Sequence, residues 1–206
     1  MDLDVPIIAI LRGVQADFFA DLMPAAFGAG LQALEVTMNT VGAEKMIAKN
    51  RPLVPAGRLL GMGTICNLEE AKRAVGAGAM FLVTPNTDPE VIAYGVSRKV
   101  PVVAGALTPT EVYRAWSLGA AMVKVFPCGA MGGPQYIKAL RGPYDTIPLA
   151  AVGGVTPGNL AAYFAAGVNA VGVGASFFGG EALQEKNINE LVVNVKNYIQ
   201  SSLGLI

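Results

Sequence analysis

Short apolar runs alternate along this chain with longer stretches whose apolar residues recur at three- and four-residue spacing, and glycine marks the joins. Four joins share one form, in which a helix-like stretch closes on small residues and a glycine before an apolar run begins. They are Phe27-Gly28-Ala29-Gly30 before Leu34-Glu35-Val36, Val75-Gly76-Ala77-Gly78 before Met80-Phe81-Leu82-Val83, Ser117-Leu118-Gly119 before Met122-Val123-Lys124-Val125, and Ala165-Ala166-Gly167 before Ala170-Val171-Gly172-Val173. Glycine just past a helix supplies a left-handed C-cap, so each join reads as helix, tight turn, strand. From Gly30 the repeats fall 48, 41 and 48 residues apart. That is about twice a minimal strand-helix unit, so further units are expected between them.

Strands are predicted at residues 6–11, 33–38, 59–64, 80–85, 100–105, 122–126, 148–152 and 170–174, each followed by a helical segment. Helix starts are expected at Asn67-Leu68-Glu69-Glu70, Thr87-Asp88-Pro89-Glu90, Thr108-Pro109-Thr110-Glu111 and Thr156-Pro157-Gly158-Asn159, where a hydroxyl or amide cap precedes proline or acid in the first turn. The last helix carries Ile188, Leu191, Val192, Val195 and Ile199 on one stripe. Eight such units predict an α/β fold, a (β/α)8 TIM barrel forming a single domain over residues 1–206. An open, doubly wound sheet is the alternative, because local signals do not prove closure.

Composition sharpens this picture. With 53% apolar and only 15% charged residues, much surface must be hidden, in a large core or against sister subunits. Net charge is zero and no basic run stands out, so neither nucleic acid nor an anionic membrane is an expected partner. No apolar stretch is long and uninterrupted enough to span a bilayer. Cys66 and Cys128 lie far apart, and no basic leader precedes an apolar signal core, which points to a reducing, cytoplasmic setting. The chain contains no histidine. Zinc sites with imidazole ligands and Ser-His-Asp catalysis are thereby disfavoured, and acid-base work falls to Glu, Asp, Lys, Tyr, Cys or bound water.

Two charges stand where charges are expensive. Lys124 is the only one of eight lysines inside an apolar strand-like run, and Glu35 is the only acid so placed. A buried ammonium must be paired, reach water or release its proton, and the neutral amine is a nucleophile toward carbonyls. Strand periodicity puts Glu35 on a face with Thr37, and Lys124 on a face with Met122 and Phe126. Strands two and six of an eight-stranded barrel lie opposite each other, so acid and amine are expected to share one cavity. Arg12 closes the first strand at the end where barrel sites are built, and its fork suits a carboxylate. A buried ion-pair network that only fixes the core is the bland alternative, although such networks add little net stability.

Strand ends supply the remaining candidates. Gly153 and Gly154 close the seventh strand, and Gly174 and Ser176 follow the eighth, where barrels often bind phosphate through backbone N–H groups. Thr64, Thr84 and Pro85 end strands three and four; they orient a small acid or simply cap the following helices. Cys128 lacks a nearby base and reads as a small loop residue.

In order, Ile8-Ala9-Ile10-Leu11-Arg12-Gly13, Glu35-Val36-Thr37, Gly61-Met62-Gly63-Thr64, Val83-Thr84-Pro85-Asn86, Lys124-Val125-Phe126-Pro127, Gly133-Pro134-Gln135-Tyr136-Ile137-Lys138-Ala139-Leu140 and Ala151-Val152-Gly153-Gly154-Val155-Thr156-Pro157 resemble the KDPG/KHG aldolases from about residue 6 to 178. The resemblance implies a class I, pyruvate-forming lyase acting on phosphorylated 2-keto-3-deoxysugar acids. It implies a Schiff base on Lys124, proton transfer by Glu35, and a homotrimer. On that mechanism, which needs no metal or organic cofactor, Arg12 and Thr64 are expected to hold the pyruvyl carboxylate, Thr37 or Thr84 to orient the polar chain, and Gly153, Gly154, Gly174 and Ser176 to bind the phosphate. Two departures bear on the substrate. Many gluconate-type members have arginine where this chain has Asn39, and threonine where it has Val152. Both resemble the 6-phosphogalactonate branch, whose substrate differs in configuration at C4, so that substrate is slightly favoured over 6-phosphogluconate. Cleavage of 4-hydroxy-2-oxoglutarate at the same site, and a noncatalytic phosphometabolite-binding barrel, stay open as alternatives.

Overall fold

A computed structural model describes residues 1 and 3–203 of the chain. Its strands are β1 (Ile7–Leu11), β2 (Ala33–Thr37), β3 (Leu59–Gly63), β4 (Leu82–Val83), β5 (Val102–Ala106), β6 (Met122–Val125), β7 (Leu149–Val152) and β8 (Ala170–Val173). All pair in parallel with their sequence neighbours, and β8 returns to β1 through Ile7, Ile8 and Ala9 opposite Val171, Gly172 and Val173. That last ladder closes the barrel and rules out the open sheet.

Helices wrap the outside: α1 (Ala16–Gly28), α2 (Ala43–Asn50), α3 (Leu68–Gly76), α4 (Pro89–Arg98), α5 (Pro109–Ser117), α6 (Pro134–Arg141) and α7 (Leu160–Ala165). After β8 come two short helices, α8 (Ala175–Phe178) and α9 (Gly180–Gln184), and then α10 (Ile188–Leu203). Leu191, Val195 and Ile199 of the expected stripe are buried, joined by Tyr198.

Local chemistry sets the element ends. Asn67 caps α3 by accepting the Glu70 N–H at 2.9 Å, and Thr108 with Glu111 forms a reciprocal capping box on α5. The start of α4 falls one residue later than its first hydroxyl suggests. Asp88 accepts the Glu90 and Val91 N–H groups at 2.8 and 3.1 Å, while the Thr87 hydroxyl donates to the Gly105 carbonyl at 2.8 Å. Asn159 precedes α7 without capping it: its amide accepts from Thr156 N–H and donates to Gly154 O, both at 2.8 Å, and so fastens the loop after β7.

The fourth strand is the largest departure from expectation, regular only at Leu82–Val83 rather than over 80–85. Beyond it the chain passes tightly over the inward face of β5: a Cβ on Gly105 would lie 2.2 Å from the Pro85 carbonyl carbon. Only a residue without a side chain lets that backbone pass. The fifth strand begins at Val102 rather than residue 100; Pro101 has no N–H to donate to a ladder.

Side chains divide by strand parity. Ile8, Ala33, Phe81, Val103, Met122 and Ala170 fill the barrel interior, whereas Leu34, Val36, Leu60, Val123 and Val125 belong to the larger layer packed under the helices. At the N-terminal end Arg141, the last residue of α6, donates to the carbonyls of Gly167, Tyr144 and Ile147 at 2.8, 2.9 and 2.6 Å and to Asn169 Oδ1 at 2.8 Å. That guanidinium ties the starts of β7 and β8 together at the end remote from Glu35 and Lys124.

Candidate active site

Glu35 and Lys124 both point into the barrel. In the ladders Glu35 stands between Ile10 and Gly61, and Lys124 between Gly105 and Ala150. Glu35 is 1% exposed and Lys124 7%. Their charges act on each other across the cavity, yet no ion pair within 4.0 Å joins them; among the described residues such pairs are Lys72–Glu69 and Arg73–Glu44. The bland reading of a tight core ion pair is therefore not what the barrel contains. Glu35 Oε2 is buried without a hydrogen-bond partner.

Burial moves both groups toward their uncharged forms. It pushes the Glu35 carboxyl up to about 7, against the opposing pull of Lys124 and Arg12. Burial also lowers the Lys124 ammonium; Glu35 works against that shift and Arg12 adds to it. The ammonium lies 4.7 Å from the centre of the Phe126 ring, a contact that favours its charged form.

Arg12 lies exposed at the rim, with Nη2 donating to Thr64 Oγ1 at 3.3 Å. Thr64 has φ of +58°, a left-handed conformation that a β-branched residue adopts only under constraint from its surroundings. Such strain concentrates where a side chain must be aimed. Thr37 is fully buried; its hydroxyl meets Thr40 Oγ1 at 3.0 Å, and Thr40 Oγ1 accepts the Gly13 N–H at 2.9 Å. That chain of contacts clips the end of β1 to the end of β2, a role for Thr40 that nothing local in the sequence signals.

The structure redirects one candidate. Thr84 was expected either to orient a small acid or to cap a helix, but its hydroxyl accepts the Gly105 N–H at 2.9 Å and donates to the Asn86 carbonyl at 2.6 Å. With its proton committed and the side chain wholly buried, it is a clasp for the segment that contains Pro85.

On the far side, Gly153 and Gly154 have φ of +89° and +81°. Gly129 donates to the Gly153 carbonyl at 2.8 Å and Cys128 to that of Val152 at 2.9 Å, so the loops after β6 and β7 are fastened together. The N–H groups of Gly153, Gly154, Gly174 and Ser176 find no acceptor among the described residues. They remain as donors at adjacent strand ends. Val152 is 7% exposed and packs inward over Gly172, whereas Asn39 is exposed on the turn after β2. Cys128 is fully buried with its thiol pushed up to about 11 by burial, in keeping with an inert loop residue. Cys66, which sequence reasoning passed over as a site residue, is an exposed free thiol after β3 that partial burial of its sulfur pushes up from the ordinary value. Among the described residues no cluster of three or more His, Cys, Asp or Glu side chains is arranged to hold a metal, and no helix is long and apolar enough to cross a membrane.

A closed barrel with an acid and an amine facing one cavity at its C-terminal end has the layout of an enzyme for carbonyl chemistry. The model of the family described as "Aldolase: KDPG and KHG aldolase" matches residues 3–194. The chain is 36% identical over 196 residues to 2-dehydro-3-deoxy-6-phosphogalactonate aldolase of Escherichia coli K12, covering 94% of this chain and 95% of that one. Among solved structures, native KDPGal superposes with a TM-score of 0.87 at 34% identity, covering 98% of each chain. KDPG aldolase from Legionella pneumophila, with pyruvate captured as a covalent carbinolamine intermediate, superposes at 0.87 with 26% identity and 94% coverage of each chain. This chain belongs to the KDPG and KHG aldolase family and is an aldolase.

Proposed function

We propose that the chain cleaves a 2-keto-3-deoxy-6-phosphosugar acid to pyruvate and glyceraldehyde 3-phosphate through a Schiff base on Lys124, and that the 6-phosphogalactonate substrate is preferred over 6-phosphogluconate. One observation carries the chemistry: an inward lysine and an inward glutamate, both biased by burial toward their neutral forms, face one cavity without pairing.

In the neutral form Lys124 attacks the C2 ketone, and loss of water leaves an iminium. Glu35 takes the C4 hydroxyl proton as the C3–C4 bond breaks. The bonding electrons move into the iminium, giving an enamine and releasing the aldehyde. Glu35 then returns a proton to C3, and hydrolysis frees pyruvate and the amine. A carboxyl titrating near 7 suits both steps, since it holds or gives up a proton with little bias near neutrality.

Binding roles follow from place. Arg12 and Thr64, already 3.3 Å apart, offer a guanidinium fork and a hydroxyl to the pyruvyl carboxylate. Thr37 borders the polar chain, and the free N–H groups of Gly153, Gly154, Gly174 and Ser176 receive the phosphate. Thr84 drops out of the substrate contacts because its hydroxyl is already engaged. The galactonate preference is supported by Asn39, by the inward apolar surface of Val152 and by the 36% identity to a galactonate aldolase. A homotrimer is supported by the low charge content and by exposed apolar side chains such as Val41, Val96, Tyr113 and Trp116. Two free cysteines fit a cytoplasmic setting.

The test is borohydride reduction in the presence of pyruvate, peptide mapping of the adduct, and a side-by-side rate comparison of the two epimeric phosphosugar acids. The adduct is expected on Lys124, with the galactonate epimer cleaved faster. An adduct on another lysine, or none, removes the proposed chemistry; a faster gluconate epimer reverses the preference alone.

A further inference from the structure

Gly63 is the last residue of β3 and lies on the inward face, opposite Thr37 in the ladder and two residues beyond Gly61, the partner of Glu35. A Cβ built there would stand 2.2 Å from Glu35 Oε1, 2.5 Å from its Cδ and 2.7 Å from Oε2. Those three carboxyl atoms are its nearest neighbours. The backbone at Gly63 is not in the left-handed region, so local conformation makes no demand for glycine. Because Glu35 Oε2 has no hydrogen-bond partner, the shape of the space over Gly63 holds that side of the carboxyl where no bond does.

We infer that Gly63 is the positioning residue of the proton carrier: the space left by its absent side chain seats the Glu35 carboxyl at the reaction centre. The inference rests on the reading of Lys124 and Glu35 given above. Ordinary contact begins near 3.4 Å, so a methyl at position 63 drives Oε1 back by roughly 1 Å. A displacement of that size costs about 10²-fold in a step that depends on alignment.

Pyruvate separates the two roles, since its iminium forms on Lys124 whether or not Glu35 can then take a proton from C3. Reversible loss of that proton gives the enamine, and its return from heavy water puts deuterium into the methyl group. Gly63→Ala is expected to give the borohydride-trapped Lys124 adduct in native yield while deuterium incorporation falls about 10²-fold. In a Glu35→Gln background the same change should lower incorporation no further, because there is no carboxylate left to misplace. Native incorporation by Gly63→Ala overturns the inference and leaves the Schiff-base reading standing. So does a parallel loss of adduct and exchange, or a further loss beyond Glu35→Gln, since either marks damage to the barrel rather than to the acid. Failure of the unaltered protein to form any Lys124 adduct overturns the reading and this inference together.

Discussion

Lys124 and Glu35 are both held against their own hydration, and that has measurable consequences for the fold as well as for the reaction. Replacing Lys124 by Met keeps the length and removes the charge that burial disfavours. Turnover and the pyruvate adduct should vanish while the melting temperature rises, as scanning calorimetry will show. For Glu35 the sign is definite. Its folded pKa of about 7 lies above the ordinary value, so the stability conferred by the neutral carboxyl is complete below about pH 4.5 and drains away as the pH climbs through 7. The loss is roughly 3 kcal/mol. Glu35→Gln should therefore gain on the native protein between about pH 5 and about pH 8 in urea unfolding, and a difference that ignores pH would contradict the raised carboxyl. These two residues were legible in the sequence because a charge inside an apolar strand stands out and strand parity fixes the face it takes. Thr64 and Thr84 were only half legible. Parity and position place them at strand ends, but the positive φ of one and the two backbone partners of the other depend on neighbours distant in sequence.

At the level of elements, strands and helices were readable where one local signal dominated. The Thr108–Glu111 box starts α5 where a hydroxyl, a proline and an acid fall in order, whereas Thr87 and Asp88 are adjacent plausible caps that only the folded backbone distinguishes. The shortness of β4 had no local signature, since beyond it Thr84 and Pro85 are held against Gly105 of β5, a neighbour distant in sequence. That close passage gives Gly105 a testable weight. A Cβ there meets backbone atoms of Pro85 and Asn86, which cannot swing aside as a side-chain tip can. Gly105→Ala should lower unfolding free energy by about 1–3 kcal/mol and disturb the mouth as well, raising KM for the phosphosugar acid. Equal stability of variant and native protein in urea would show that the passage is loosely held.

For the whole molecule, the low charge content and exposed apolar residues such as Val41 and Tyr113 are the surface that the proposed trimer would cover. Sedimentation equilibrium should return about three times the 21.3 kDa chain mass, and a single-chain mass would dismiss the trimer. Within each barrel the chemistry gathers at one rim, and Arg141 knits the other. Arg141→Lys loses the planar fork and should cost about 3 kcal/mol of stability while kcat stays native. This division of labour leaves a mark on the chain's evolutionary prospects. With the floor locked by one many-armed cation, the loops above are free to be rewritten for a new sugar configuration without renegotiating how the barrel is shut.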